Sequence, residues 1–240
     1  MPPPSSLGQL GRYQVHEEIG RGGFSVIYRA ENVALKKPVA IKLLLPALFQ
    51  DHEAIQRFIR EARTAAALNH PKIVRVLDLD EQDGRLFMAL EYLPGGDLAA
   101  WAAAHAPLNF RQAAAIVADV AEGLDYAHAQ GIVHGDVKPG NVLLARAEPG
   151  AAPAAKLADF GILRAVEQSG VTSADNTMGT PYYISPEQAE GRKPEPASDQ
   201  YALGVVAYEL FAGARPFDGE TPLSIYLKHI REVPPAPAQR

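Results

Sequence analysis

From Tyr13 to about Leu90, apolar and polar residues alternate in short runs, YQVHEEI, SVIYRAE, PVAIKLLL, VRVLDLD and RLFMALEY. A period near two is what a half-buried strand requires, so these runs predict strands. One stretch breaks the pattern. It starts near Asp51, a plausible N-cap, and sets Ile55, Phe58, Ile59, Ala62 and Ala66 on one helical face, with His70-Pro71 ending it. After Pro94-Gly95-Gly96 the chain turns Ala-rich, with helical patterns over 97–105, 109–130, 198–212 and 221–231. The prediction is an α+β chain: a small antiparallel sheet with one helix, then a mainly helical part. The expected divisions are a flexible Pro/Ser-rich tail at 1–12, a strand-rich lobe at 13–92, a helix-rich lobe at 93–232 and a Pro-rich tail at 233–240.

Composition narrows the chemistry. The 240 residues suit one large domain or two lobes, and 47% apolar with 21% charged residues is ordinary globular usage. With no cysteine, thiolate zinc sites, iron–sulfur clusters, disulfides and cysteine nucleophiles are excluded. A net charge of −5 gives no field that gathers nucleic acid or anionic lipid, so any phosphate binding must be local. The longest stretch free of Asp, Glu, Lys and Arg, Leu98 to Phe110, falls well short of the ~18 apolar residues of a membrane helix. The start lacks the pattern of a secretory signal. The expectation is a cytoplasmic protein, with no nucleic acid and no membrane contact within this segment.

Four pieces carry candidate chemistry. Gly20-Arg21-Gly22-Gly23-Phe24-Ser25 lies between two strand-like runs, where glycines let a backbone approach a phosphate and turn at positive φ. A strand follows it rather than a helix, which excludes a dinucleotide-binding loop, and no Lys-Ser/Thr follows, which excludes a Walker A loop. Lys42 ends the strand-like Val39-Ala40-Ile41, and Glu61 flanks the helical stripe. An ammonium held by a carboxylate can be aimed at a phosphate. His134-Gly135-Asp136-Val137-Lys138-Pro139-Gly140-Asn141, followed by Val142-Leu143-Leu144, puts a proton acceptor, a cation and an amide on one tight loop. Asp159, in Ala158-Asp159-Phe160-Gly161, follows a strand-like run.

In this order these residues resemble the Ser/Thr protein kinases, and more narrowly their bacterial members. The resemblance runs from Tyr13 to about Arg231. It implies a two-lobed kinase fold, ATP and Mg²⁺ as cofactors, and γ-phosphoryl transfer to Ser/Thr hydroxyls of protein substrates. Asp136 would accept or orient the hydroxyl, Lys138 would face the γ-phosphate, and Asn141 and Asp159 would hold Mg²⁺. Lys42, paired with Glu61, would hold the nucleotide phosphates. The nucleotide would meet Ile19, the loop Gly20 to Ser25, Ile27, Ala40 and Leu143. Backbone groups of Glu91 and Leu93 would meet the adenine edge, Asp97 the ribose, and Leu90 would guard the back of the pocket. Gly179-Thr180-Pro181-Tyr182-Tyr183-Ile184-Ser185-Pro186-Glu187 resembles the end of an activation segment, with Thr172, Ser173 and Thr177 as candidate modification sites and Thr180 favouring Ser/Thr acceptors. Asp199 resembles the buried aspartate that bonds the catalytic loop.

The chain departs from the family pattern in places. Ser25 replaces the third glycine of the loop, and Ser185 stands where the family usually has Ala. Gly135 replaces the Arg that in the family pairs with an activation-segment phosphate, so activity is expected not to require phosphorylation there. The family's last helices, one carrying an Arg that pairs with the residue matching Glu187, do not follow Arg231. The expectation is a truncated or minimal domain in which Glu187 lacks its partner. Two rival readings stay open: a nucleotide-binding pseudokinase scaffold, and a small-molecule kinase of related fold. The histidines other than His134 are read as surface or packing residues.

Overall fold

The computed structural model describes residues 8–105, 108–145, 151–160 and 181–237. The chain divides into two compact units, one holding the residues up to Asn69 with Val74–Tyr92, the other His70–Ile73 with the residues from Leu93 onward.

The first unit is a six-stranded antiparallel sheet. Its strands are β1 (Gln9–Leu10), β2 (Tyr13–Arg21), β3 (Ser25–Asn32), β4 (Lys37–Leu44), β5 (Val76–Gln82) and β6 (Arg85–Glu91), in the order β1-β2-β3-β4-β6-β5. Side chains alternate across a strand, so the register decides which residues share a face. Tyr13, Val15, Val26, Tyr28, Val39, Ile41, Leu43, Phe87 and Ala89 make the core on one side. Burying each of the larger ones contributes roughly 1.5–3 kcal/mol. Ile27 stands opposite Lys42, Lys42 opposite Met88, and Ala40 opposite Leu90, so these residues share the other face.

Helix α1 (His52–Ala66) begins at Asp51, whose carboxylate accepts the Ala54 N–H at 3.0 Å. Phe58 and Ala62 pack with Leu44 and Met88, and Ile55 joins them at the edge. The buried stripe differs from the expected one: Ala54 is buried as well. Ala66 is exposed in the last turn, and Glu61 is buried because its carboxylate meets Lys42. The expected tail at 1–12 is also corrected over residues 8–12. Gln9 and Leu10 pair with Gln14 and Tyr13, and Leu10, 1% exposed, fills the same core as Phe87.

The second unit contains α2 (Leu98–His105), α3 (Phe110–Ala129), a hairpin of β7 (Val142–Leu144) and β8 (Ala155–Leu157), α4 (Pro186–Ala189), α5 (Pro196–Ala212) and α6 (Pro222–Arg231). Ala113, Ile116, Val120, Leu124 and Ala127 form the buried stripe of α3, which packs on α5. Apolar residues surround α5, as expected for a helix buried on most sides. Gly213 closes it in the left-handed conformation, φ 71°.

His70–Ile73 belongs with this unit rather than with the strand-rich lobe assigned to 13–92. Lys72 pairs with Asp119 of α3, its carbonyl accepts the Leu157 N–H (2.8 Å), and the His70 ring stacks on Tyr126 at 4.8 Å. Gly95 is required by close approach: a Cβ there would lie 2.5 Å from the Leu144 carbonyl oxygen, the atom that accepts the Gly95 N–H.

Candidate functional site

Each unit carries its own set of candidate groups. In the sheet unit, Lys42 Nζ donates to Glu61 Oε1 at 2.6 Å, with side chains 4% and 8% exposed. The alternation of β4 points Lys42 to the face where α1 lies, and the 3.6-residue repeat brings Glu61 round to it. Ala40 is buried and Ile27 half-buried on that face, while Ile19 of β2 is exposed.

The glycine-rich turn closes with the Gly22 N–H donating to the Ser25 carbonyl at 2.8 Å. Gly20, Gly22 and Gly23 do not take the positive φ expected of them. Their bareness leaves room instead: nothing lies within 4 Å of a Cβ at Gly23. Arg21 is bound to Glu18, Ser25 is buried, and the Phe24 ring lies 5.0 Å under the Arg57 guanidinium of α1. Glu91 gives its N–H to the Arg75 carbonyl at 2.9 Å.

In the helical unit the candidate groups converge on Asp136. Lys138 Nζ donates to Asp136 Oδ2 at 2.6 Å, and Asn141 Nδ2 donates to the same oxygen at 3.0 Å and to the Asp136 carbonyl at 2.8 Å. A 3₁₀ turn, Pro139–Asn141, folds the chain back to bring Asn141 to Asp136. Asp199 of α5, 1% exposed, takes the His134 and Gly135 N–H groups, each at 2.8 Å, and is 2.8 Å from His128 Nε2. A buried carboxylate with three donors is well satisfied, which makes it a firm peg for the loop. Gly135 has φ +78°, a region where side chains are strained, and a Cβ there would lie 3.2 Å from Pro194 Cγ.

The strand ends join this loop. The Ala158 N–H donates to the Asn141 carbonyl (2.9 Å), His134 Nε2 bonds the Ala158 carbonyl (2.9 Å), and the His134 ring lies 4.7 Å from that of Phe160. Asp159 follows with φ +62°, a non-glycine residue in left-handed backbone. Leu143 is half-buried and Leu93 buried. Asp97 accepts the Ala100 N–H at 2.8 Å, capping α2.

Glu187 is not left without a partner, contrary to expectation. The Ser198 hydroxyl donates to its carboxylate, and its carbonyl accepts the Arg192 N–H at 2.8 Å. Burial opposes its ionisation, but bonds from Ser198, the backbone and Ser185, with the Arg192 charge, hold its carboxyl below the ordinary range. The adjoining turn Pro181–Tyr183 is anchored as well. The Tyr183 hydroxyl donates to Glu209 (2.6 Å), Arg215 donates to Glu209 (3.2 Å), and the Arg215 guanidinium lies 3.9 Å over the Tyr182 ring. Burial, then the bond to Glu209 and its charge, push the Tyr183 hydroxyl well above its usual pKa. Thr172, Ser173, Thr177 and Thr180 lie outside the described residues.

Sequence reasoning missed His128, Ser198 and Gln188. His128 follows Leu124 by four residues on the buried stripe of α3, and a polar residue continuing such a stripe needs a partner. That signal was present. Gln188 stands three residues after Ser185, the spacing of a capping box, so a local signal was present for it too, whereas nothing local marked Ser198.

The chain belongs to the protein kinase domain family, whose model matches residues 13–238, and its antiparallel sheet unit and helical unit are those of the kinase fold. It is similar to the serine/threonine-protein kinase PrkC of Bacillus subtilis (strain 168), 40% identical over 226 residues, covering 94% of this chain and 34% of that one. It is equally similar to the serine/threonine-protein kinase PknB of Mycobacterium tuberculosis (strain ATCC 25618 / H37Rv), 40% identical over 246 residues, covering 100% and 38%. The serine/threonine-protein kinase pkn3 of Myxococcus xanthus is 39% identical over 236 residues, covering 95% and 43%. The chain thus spans well under half the length of these curated relatives.

Proposed function

We propose that this chain transfers the γ-phosphoryl group of ATP to Ser or Thr hydroxyls of protein substrates. The observation that carries this reading is the convergence of Lys138 and Asn141 on one oxygen of Asp136, in a loop pegged by Asp199. Both donors hold Oδ2, which leaves Oδ1 to meet the substrate hydroxyl and take its proton as the new O–P bond forms and the γ-phosphorus–oxygen bond to the departing ADP breaks. Lys138, only part-buried, reaches the transferring phosphoryl oxygens and offsets their charge.

Lys42, fixed by Glu61, orients the nucleotide phosphates in this proposal, and the open turn at Gly22 and Gly23 lets backbone N–H groups approach them. In the sheet unit Ile19, Ile27 and Ala40 offer apolar surface to the adenine and Glu91 a backbone hydrogen bond; in the helical unit Leu143 offers apolar surface, Leu93 a backbone hydrogen bond and Asp97 a ribose contact.

Mg²⁺ fits the donors present. Asn141 spends its amide nitrogen on Asp136, which makes its oxygen the atom a cation would meet, and Asp159 adds a carboxylate. Among the described residues there is no cluster of three or more His, Asp or Glu able to enclose a metal. Two hard oxygen donors suit an ion that keeps waters and phosphate oxygens in its shell. Asn141 and Asp159 would hold the ion, which would supply positive charge against the phosphates.

Dependence on ATP places the proposed reaction in the cytoplasm. Among the described residues no helix is long and apolar enough to cross a membrane.

The test is phosphate incorporation from Mg-ATP into a generic basic protein, comparing the natural chain with Asp136→Asn. A loss of about 10²- to 10⁴-fold is expected. Equal incorporation by the two would reject the reading and leave a nucleotide-binding scaffold, and transfer to small molecules alone would reject the protein substrate.

A further inference from the structure

The Gly135–Asp136 peptide carries the proposed proton acceptor, and it is held from more than one side. Gly135 gives its N–H to Asp199, and its carbonyl accepts Gln188 Nε2 at 2.9 Å. Gln188 lies on α4, where it forms a capping box with Ser185. Its Oε1 accepts the Ser185 N–H at 3.3 Å and the Ser185 hydroxyl at 3.0 Å, and its own N–H donates to Ser185 Oγ at 3.4 Å. An amide has one accepting and one donating end. Two donors on the oxygen fix which end is which, so the nitrogen must face the Gly135 carbonyl. Ser185 is fully buried, so water does not compete for these bonds.

Two departures noted in the sequence therefore meet at one amide. Ser185, in place of Ala, supplies the hydroxyl that orients Gln188. Gly135, in place of Arg, supplies the carbonyl that Gln188 holds, at a φ of +78° that a side chain would strain.

We propose that Gln188 is a positioning residue for Asp136, acting through the Gly135 carbonyl and oriented by Ser185. This rests on the reading of Asp136 as the proton acceptor. The link is made of neutral groups, so it joins α4 to the catalytic loop whether or not the segment before α4 carries phosphate. A misplacement of the acceptor by about 1 Å costs on the order of 10²-fold in rate, so a single anchoring bond has leverage.

The experiment measures kcat, KM for Mg-ATP and melting temperature for the natural chain, Asp136→Asn, Gln188→Glu, Gln188→Met, Ser185→Ala and the Ser185→Ala/Gln188→Met pair, with a basic peptide as acceptor. Gln188→Glu sets a carboxylate against a carbonyl and should lower kcat by about tenfold or more, with KM for ATP within about twofold. Ser185→Ala should lower kcat by about two- to fivefold and should add nothing once Gln188 is Met. If the natural chain is no more active than Asp136→Asn, the kinase reading itself fails. If it is active and the Gln188 variants keep its kcat, the positioning role fails alone. Parallel losses in kcat and ATP affinity, or melting of both Gln188→Met and Ser185→Ala below the assay temperature, would also overturn the proposal by marking the amide as a packing element.

Discussion

Two lysine–carboxylate pairs in this molecule have the same length and opposite characters. Lys42–Glu61 and Lys138–Asp136 both close at 2.6 Å, yet the first pair is 4% and 8% exposed and the second 24% and 24%. Burial makes the first pair costly to break from one side, since the survivor is a charge without water. Its value lies in orientation. The second pair sits where water reaches it, so each partner can exchange the other for a ligand group at small cost. Lys138 can turn to a phosphoryl oxygen and Asp136 to a hydroxyl. The first pair stands on a sheet strand and a helix, whereas the backbone under this exchangeable pair is held by side chains, those of Asp199, Asn141, His134 and Gln188. In the proposed reaction the groups that must change partners stand on a loop tied down by these bonds.

The sharpest way to break the comparison is Asp136→Asn. Phosphoryl transfer should fall by about 10²- to 10⁴-fold, while the melting temperature stays near that of the natural chain because the pair is part-exposed. Glu61→Ala should do the reverse in kind. Leaving the Lys42 ammonium buried should cost about 3–5 kcal/mol in urea denaturation, with activity following the loss of fold and of nucleotide orientation. A Glu61→Ala protein as stable as its parent would show that the Lys42 ammonium is satisfied without Glu61, and the contrast would collapse. Lys138→Met sharpens it from the other side: stability should change by less than about 1 kcal/mol, while kcat falls on the order of 10²-fold.

Much of this was legible in the sequence, and the limits have physical causes. Helices α2, α3, α5 and α6 were readable because segments separated by Pro and Gly carry their own start and stop signals, while the short α4 was not read as a helix. Asp51 as a cap and the edges of β3 and β6 fell where local chemistry puts them. Lys42, Asp136, Asn141 and Asp159 were singled out as candidates by their spacing. What escaped was set by packing at a distance. Leu10 joins the sheet because Phe87, far along the chain, leaves a place for it, and His70–Ile73 leaves the strand-rich part for Asp119 and Leu157. Glu187 finds Ser198, eleven residues on, and no periodicity announces a hydroxyl as the partner of a carboxylate. The turn at Gly22 shows the converse, since glycines read as a need for positive φ serve by being small.

His229 extends the comparison to a buried titratable group with no opposite charge beside it. It sits on α6, 3% exposed, with Nδ1 at 2.8 Å from the Tyr201 hydroxyl and the Phe217 ring at 5.0 Å. Burial pushes its pKa from 6.5 down to about 4, against a weak opposing pull from the Tyr182 backbone. Above about pH 6.5 both folded and unfolded chains hold it neutral, and its full contribution to stability is present. Between about pH 6.5 and about pH 4 the unfolded chain takes up a proton that the folded chain refuses, so stability falls as pH falls; below about pH 4 this group changes nothing further. From about pH 7 to about pH 5.5 the loss should be about 1 kcal/mol. His229→Gln, which keeps a partner for Tyr201, should lower the stability at neutral pH and flatten that part of the profile, and urea midpoints at the two pH values measure both. An unchanged slope in the variant would mean that acid reaches the fold through carboxylates such as Glu187 instead, and that a buried imidazole here adds no pH dependence of its own.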